Sequence, residues 1–109
     1  REAYPDVRPL ATLMPPEAAF ARAHAVATEL GWDIVEAEPP GSMGSAAARI
    51  EASVRTRWFG FTDDVSIRIR PTADGSRLDL RSISRVGVSD LGANAARIEA
   101  FIAAFDAGG

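Results

Sequence analysis

Three segments of this chain alternate apolar and polar side chains with a period of two, and nothing else in it constrains the fold as tightly. Ala48–Arg57 sets Ala48, Ile50, Ala52 and Val54 against Arg49, Glu51, Ser53 and Arg55. Val65–Arg70 sets Val65, Ile67 and Ile69 against Ser66, Arg68 and Arg70. Arg77–Arg85 sets Leu78 and Leu80 against Arg77, Asp79 and Arg81. That period belongs to a strand with one buried and one solvated face. In the third segment Ser82 and Ser84 fall on the leucine side and Ile83 on the arginine side, which predicts a bulge or the end of the core. TADGS, Thr72–Ser76, carries the Asp-Gly signal of a tight hairpin.

The remaining elements fit around those strands. Pro16 stands where a helix takes its first residue. Glu17–Leu30 follows, with Phe20, Ala23, Ala27 and Leu30 at helical spacing and Gly31 as a natural stop. Trp32–Glu38 reads as a strand and Glu38–Ser45 as a loop. A last helix opens at Ser89–Asp90, either of which can cap it, with a stripe of Leu91, Ala95, Ile98, Ile102 and Phe105. Short turns between successive strands imply an antiparallel meander whose apolar face only the two helices can cover. The fold class is α+β: a two-layer sandwich with a four-stranded sheet, five if Val7–Leu13 adds at an edge, and both helices on one face. At 109 residues the chain reads as one domain, 1–109, with an irregular N-terminal segment over 1–15.

Composition narrows the chemistry. An apolar content of 47% and a charged content of 25% suit an ordinary soluble protein. Cysteine is absent, which removes disulfides and thiolate nucleophiles. All 12 basic residues are arginine, which removes Schiff-base and P-loop lysines. No charged-then-apolar stretch and no apolar run of about 18 residues occurs in this sequence, so neither a signal peptide nor a transmembrane helix is expected within it. It opens on Arg1, as a trimmed piece would, so an anchor ahead of it stays open.

Arginine is also distributed unevenly. Along the three alternating strands eight arginines share the polar side: Arg49, Arg55, Arg57, Arg68, Arg70, Arg77, Arg81 and Arg85. Glu51 and Asp79 are the acids beside them, so that side carries about +6 while the chain totals −3. Asp63, Asp64 and Asp74 are the expected compensators. Such a face is either a solvated surface, where ion pairs contribute roughly 0–1 kcal/mol each, or an anion-binding face. Nucleic acid is not the expected anion, because the domain is acidic and the face lacks interleaved aromatics.

Groups for chemistry are sparse. Asp63 and Asp64 diverge if the strand already includes them, and then share neither proton nor metal. His24 is the single histidine and has no acid one turn away. Trp58, Phe59 and Phe61 around Gly60 form an aromatic corner that plugs the core or rims a ligand. SDLGAN, Ser89–Asn94, reads equally as a helix cap or as an anion nest beside Arg85. No catalytic set, metal site or cofactor is predicted. The candidate ligand-binding residues are Arg55, Arg57, Trp58, Asp63, Asp64, Arg68, Arg81, Arg85, Ser89 and Asn94.

Two blocks, WFGFTDDVSIRIRP and SRVGVSDLGANAARI, together with YPDVRPL and GWDIVEAEP, resemble the bacterial domain of unknown function 1499 family from about Tyr4 to Phe105. The resemblance implies envelope association through a membrane-anchoring segment not present in this chain. It implies no activity and no catalytic residues. The loop GSMGSAAA is longer and richer in Gly and Ser than the family pattern. The leading expectation is therefore a non-enzymatic, envelope-associated module whose arginine face engages an anionic small molecule, a lipid headgroup or an envelope protein. Two alternatives remain: a small enzyme on an anionic substrate with Asp63 or Asp64 as acid/base, and a structural accessory subunit of a membrane complex.

Overall fold

The computed structural model describes residues 6–44, 46–55, 62–84 and 91–107. Five strands, β1 (Asp6–Thr12), β2 (Asp33–Glu38), β3 (Ala48–Arg55), β4 (Thr62–Pro71) and β5 (Ser76–Ser84), form one antiparallel sheet in the order β1-β5-β4-β3-β2. The fold is α+β, as the sequence predicts, and the edge strand is present. Helix α1 (Pro16–Glu29) carries the chain from one edge of the sheet to the other, packing over β2, β3 and β4. Helix α2 (Leu91–Ala107) lies over β5 and β1. Among the described residues no helix is long and apolar enough to cross a membrane.

Alternation does what the sequence requires of it. Ile50, Val65, Ile67, Ile69, Leu78 and Leu80 are buried under the helices. The helical stripes need correction. Ala19, Ala23, Val26 and Ala27 are the buried positions of α1, whereas Phe20 is half-buried and Leu30 exposed. On α2 the inner line is Asn94, Ile98, Phe101 and Phe105. Phe101, outside the predicted stripe, stacks on Trp32 at 5.5 Å and on Phe105 at 6.0 Å between ring centroids.

Local chemistry ends the helices. Gly31 adopts φ +84°, the Gly31 amide donates to Thr28 O at 3.0 Å and the Trp32 amide to Ala27 O at 3.0 Å. This is a Schellman stop, and it turns Trp32 into the core. The last carbonyls of α2 are met from α1: Arg22 donates through Nη2 to Ala104 O at 2.8 Å and through Nε to Phe105 O at 3.3 Å. A cation at a helix C-terminus satisfies orphan acceptors and opposes the dipole.

The β4–β5 register is unbroken from Asp63↔Ser84 to Pro71↔Ser76, so the bulge expected at Ser82–Ser84 is not there. The bulge lies in β2, at Val35, where pairing shifts between Ile34 and Glu36. One extra residue swings the following side chains to the other face. Glu36 and Glu38 therefore join Asp33 on the outer face, opposite Glu51 and Arg49. Both sheet edges are blunted, β1 by Pro9 and β2 by the bulge and its acids. The hairpin tip is Ala73–Asp74, with the Thr72 amide donating to Gly75 O at 2.9 Å. Gly75 serves close approach rather than a left-handed turn: a Cβ there would lie 2.2 Å from Thr12 O and 2.7 Å from the Leu13 backbone.

Gly75→Ala therefore forces β1 away from the turn. We expect a loss of about 1–3 kcal/mol in chemical denaturation, the range for overpacking. Amide exchange should accelerate over Leu10–Thr12 before the other strands.

Candidate functional site

Asp63 and Asp64 both lie inside β4 and so point to opposite sides of the sheet. Asp63, with the parity of Val65 and Ile67, turns inward and is buried. It does not compensate outer-face arginines, as the sequence reading supposes. Its carboxylate meets Arg97 Nη1 of α2 at 3.0 Å, with the two side chains only 4% and 11% exposed respectively. The same nitrogen donates to Asn94 Oδ1 at 2.8 Å and to Ser82 Oγ at 3.1 Å. The Ser82 hydroxyl donates to Asn94 Oδ1 at 2.7 Å, and Asn94 Nδ2 donates to Ser84 Oγ at 3.4 Å. Five polar residues from β4, β5 and α2 thus share one buried network.

The network explains the apparent slip in β5. Ser82 and Ser84 keep the leucine phase and turn inward because Asn94 and Arg97 are there to meet them. A buried charge is tolerated only when paired and hydrogen-bonded, and both conditions hold here. Its polar atoms are used on one another, so it clamps α2 to the sheet. It also separates the two aspartates proposed singly as acid/base: Asp63 is engaged by Arg97, and Asp64 lies on the far face with an interaction of its own. Among the described residues no three His, Asp or Glu side chains converge on a metal position. His24 sits half-buried on α1, 6.4 Å from the Phe20 ring.

The outer face is more balanced than the strand-by-strand count suggests. Among the described residues it carries Arg49, Arg55, Arg68, Arg70, Arg77 and Arg81, matched by Asp33, Glu36, Glu38, Glu51, Asp64 and Asp79. Of the eight arginines counted from sequence, Arg57 and Arg85 lie outside the described residues; the other six meet Glu51, Asp79 and Asp64 together with three acids of β2, two of which, Glu36 and Glu38, the bulge turns outward. Arg49 is held by Glu36 at 3.1 Å, Glu38 at 3.4 Å and Glu51 at 3.9 Å. Asp79 bridges Arg70 at 2.8 Å and Arg77 at 3.0 Å, relieving a directly opposed arginine pair. Asp74 makes no ion pair among the described residues.

The charge is nevertheless sorted across the sheet. Acids dominate the β2–β3 half, and the β4–β5 half carries Arg68, Arg70, Arg77 and Arg81 around Asp79. Arg68 and Arg81 are exposed diagonal neighbours with no hydrogen bond or ion pair among the described residues. Both line a depression of about 220 Å³ with Val7, Ser66, Arg70, Asp79 and Leu80. The Ser66 hydroxyl is already spent as a donor to Glu51 Oε2 at 2.8 Å.

Of the candidates read from sequence, the structure brings Arg68 and Arg81 together outside and Asp63 and Asn94 together inside, sets Asp64 on the outer face opposite Ser53, and leaves Arg55 at the exposed end of β3 with no partner among the described residues. Arg57, Trp58, Arg85 and Ser89, the aromatic corner and the proposed nest lie outside the described residues. Arg97 was missed. Its signal was its place three residues after Asn94, on the flank that faces β4 and β5.

Asn94→Ala removes the acceptor that Arg97 and Ser82 share. Leaving buried donors unmatched should lower unfolding free energy by about 1–3 kcal/mol in urea, while exposed Arg68→Gln changes it by less than about 0.5 kcal/mol. No curated protein matches the chain. A family model does match residues 1–105, and its description is Protein of unknown function (DUF1499). The chain belongs to that family.

Proposed function

We propose that the chain is a non-enzymatic binding module of the cell envelope, attached through a segment outside this chain, and that Arg68 and Arg81 hold an anionic group. The observation that carries this reading is the pairing state of the arginines. Arg8, Arg49, Arg70, Arg77 and Arg97 have carboxylate partners, and Arg22 has helix carbonyls. Among the described residues Arg68 and Arg81 have neither and share one depression, whereas Arg55, likewise without a partner among them, is not part of it. Like charges set side by side on a sheet cost a few tenths of a kcal/mol. An anion between them reverses that cost, and guanidinium groups bind phosphate or carboxylate oxygens two at a time. A carboxylate cluster on an envelope protein would use the same arginines.

The test is sedimentation with vesicles, comparing phosphatidylglycerol with phosphatidylcholine, and with cell-wall fragments. The wild-type chain should bind the anionic material and be released by salt, because exposed charges are screened. Each basic residue near an anionic surface contributes about 1 kcal/mol, so Arg68→Gln/Arg81→Gln should weaken binding about tenfold or more. Equal binding by the two proteins, or binding by neither, contradicts the reading.

A further inference from the structure

The strand beside the arginines differs from the other four on its outer face. The β1 residues there are Val7, Pro9 and Ala11, opposite Arg81, Asp79 and Arg77. None is charged, and all are exposed, Val7 by 55%. The strip continues into Leu13, which is 83% exposed. Along it runs a recess of about 650 Å³ whose lining includes Pro9, Ala11, Leu13, Thr72, Asp74 and Arg77. Its lining joins the outward residues Pro9, Ala11 and Arg77 to the inward-phase Leu10, Thr12 and Ser76, so it lies at the β1 end of the sheet beside the hairpin turn. Val7 and Leu80 belong to the arginine depression, and Arg77 to the apolar groove. The two recesses are therefore neighbours along β1 and β5. From Val7 to Leu13 the strip is six residues of about 3.3 Å, roughly 20 Å long.

We infer that this surface takes an anionic amphiphile, with its head group between Arg68 and Arg81 and its alkyl chain in the groove along β1. Head and tail chemistry lie in adjacent recesses along the same two strands, which a site for a free polar anion does not need. The direction follows from charge. The acid at the groove's far end, Asp74, has no ion pair among the described residues and repels a head group there. Asp79, at the near end, is neutralised by Arg70 and Arg77. Val7 and Leu13 would gain from cover, since large apolar side chains this exposed mark interaction surfaces when they form one patch. This inference rests on the anion site proposed above and adds to it the class of ligand.

Calorimetry and amide shift mapping would compare butyl phosphate, dodecyl phosphate below its micelle concentration, and dodecyl maltoside. Full burial of one methylene gives roughly fourfold in affinity. Dodecyl phosphate should therefore bind at least about 100-fold more tightly than butyl phosphate even if the groove covers the chain incompletely. Shifts should run from Arg81 along Val7 and Ala11 to Leu13. Leu13→Ser, at a position 83% exposed and outside the arginine depression, should weaken dodecyl phosphate by about threefold or more and leave butyl phosphate unchanged. Arg68→Gln/Arg81→Gln should weaken both phosphates. Equal affinity for the two phosphates overturns the amphiphile inference while leaving the anion site standing. Dodecyl maltoside binding as tightly as dodecyl phosphate overturns it as well, since the head would then go unread. Binding of neither phosphate overturns both.

Discussion

The ion pair between Asp63 and Arg97 is the contact on which the arrangement of this molecule turns. It joins the start of β4 to α2 across the apolar layer, with Asn94 and Ser82 accepting from the same guanidinium nitrogen. Removing one member of such a pair costs several kcal/mol, because the other is left charged in a dry place. Replacing both by apolar groups is often neutral, so the pair contributes specificity of docking more than net stability. It tells α2 where along β4 and β5 to sit. Arg22 does the corresponding work at the other end of α2 by closing its last carbonyls. Both ends of the helix are thereby fixed on the inner face of the sheet.

The outer face owes its character to one backbone irregularity and to strand order. Had β2 paired without a bulge, Glu36 and Glu38 would share the phase of Ile34 and point toward the core. The extra residue at Val35 turns them outward onto Arg49. The chain then places β2 beside β3 and β1 beside β5, so the surface grades from acidic through basic to apolar across the sheet. A gradient of that kind distinguishes the β4–β5–β1 side from a uniformly solvated face, and both proposed binding features lie within it.

Much of this was legible from residue order. Alternation fixed β3, β4 and β5 and assigned their buried sides; Pro16 and Gly31 marked the ends of α1. The divergence of Asp63 and Asp64 also followed from parity, once the strand was known to reach them. What stayed hidden was whatever depends on neighbours distant in sequence. The acids of β2 could not be set against Arg49 without the strand order and the bulge. Ser82, Ser84, Asp63 and Asn94 each look like a local fault, a polar residue in an apolar phase. Taken together they are four members of one network whose fifth, Arg97, supplies the charge. Polar intrusions in phase on three separate elements are a readable sign of a buried polar cluster, whereas one alone reads as a bulge or a frayed end. The tip of the β4–β5 turn was hidden for a similar reason: Gly75 answers to β1, not to the dihedral angles of its own hairpin.

A double-mutant cycle on Asp63→Asn and Arg97→Gln, followed by urea unfolding, addresses the clamp directly. If the two side chains form the buried pair described here, each single change is costly and the double change costs much less than their sum, with a coupling of about 2 kcal/mol or more. Additivity within about 0.5 kcal/mol, the behaviour of groups that do not touch, would contradict the inward placement of Asp63 and with it the assignment of the two faces.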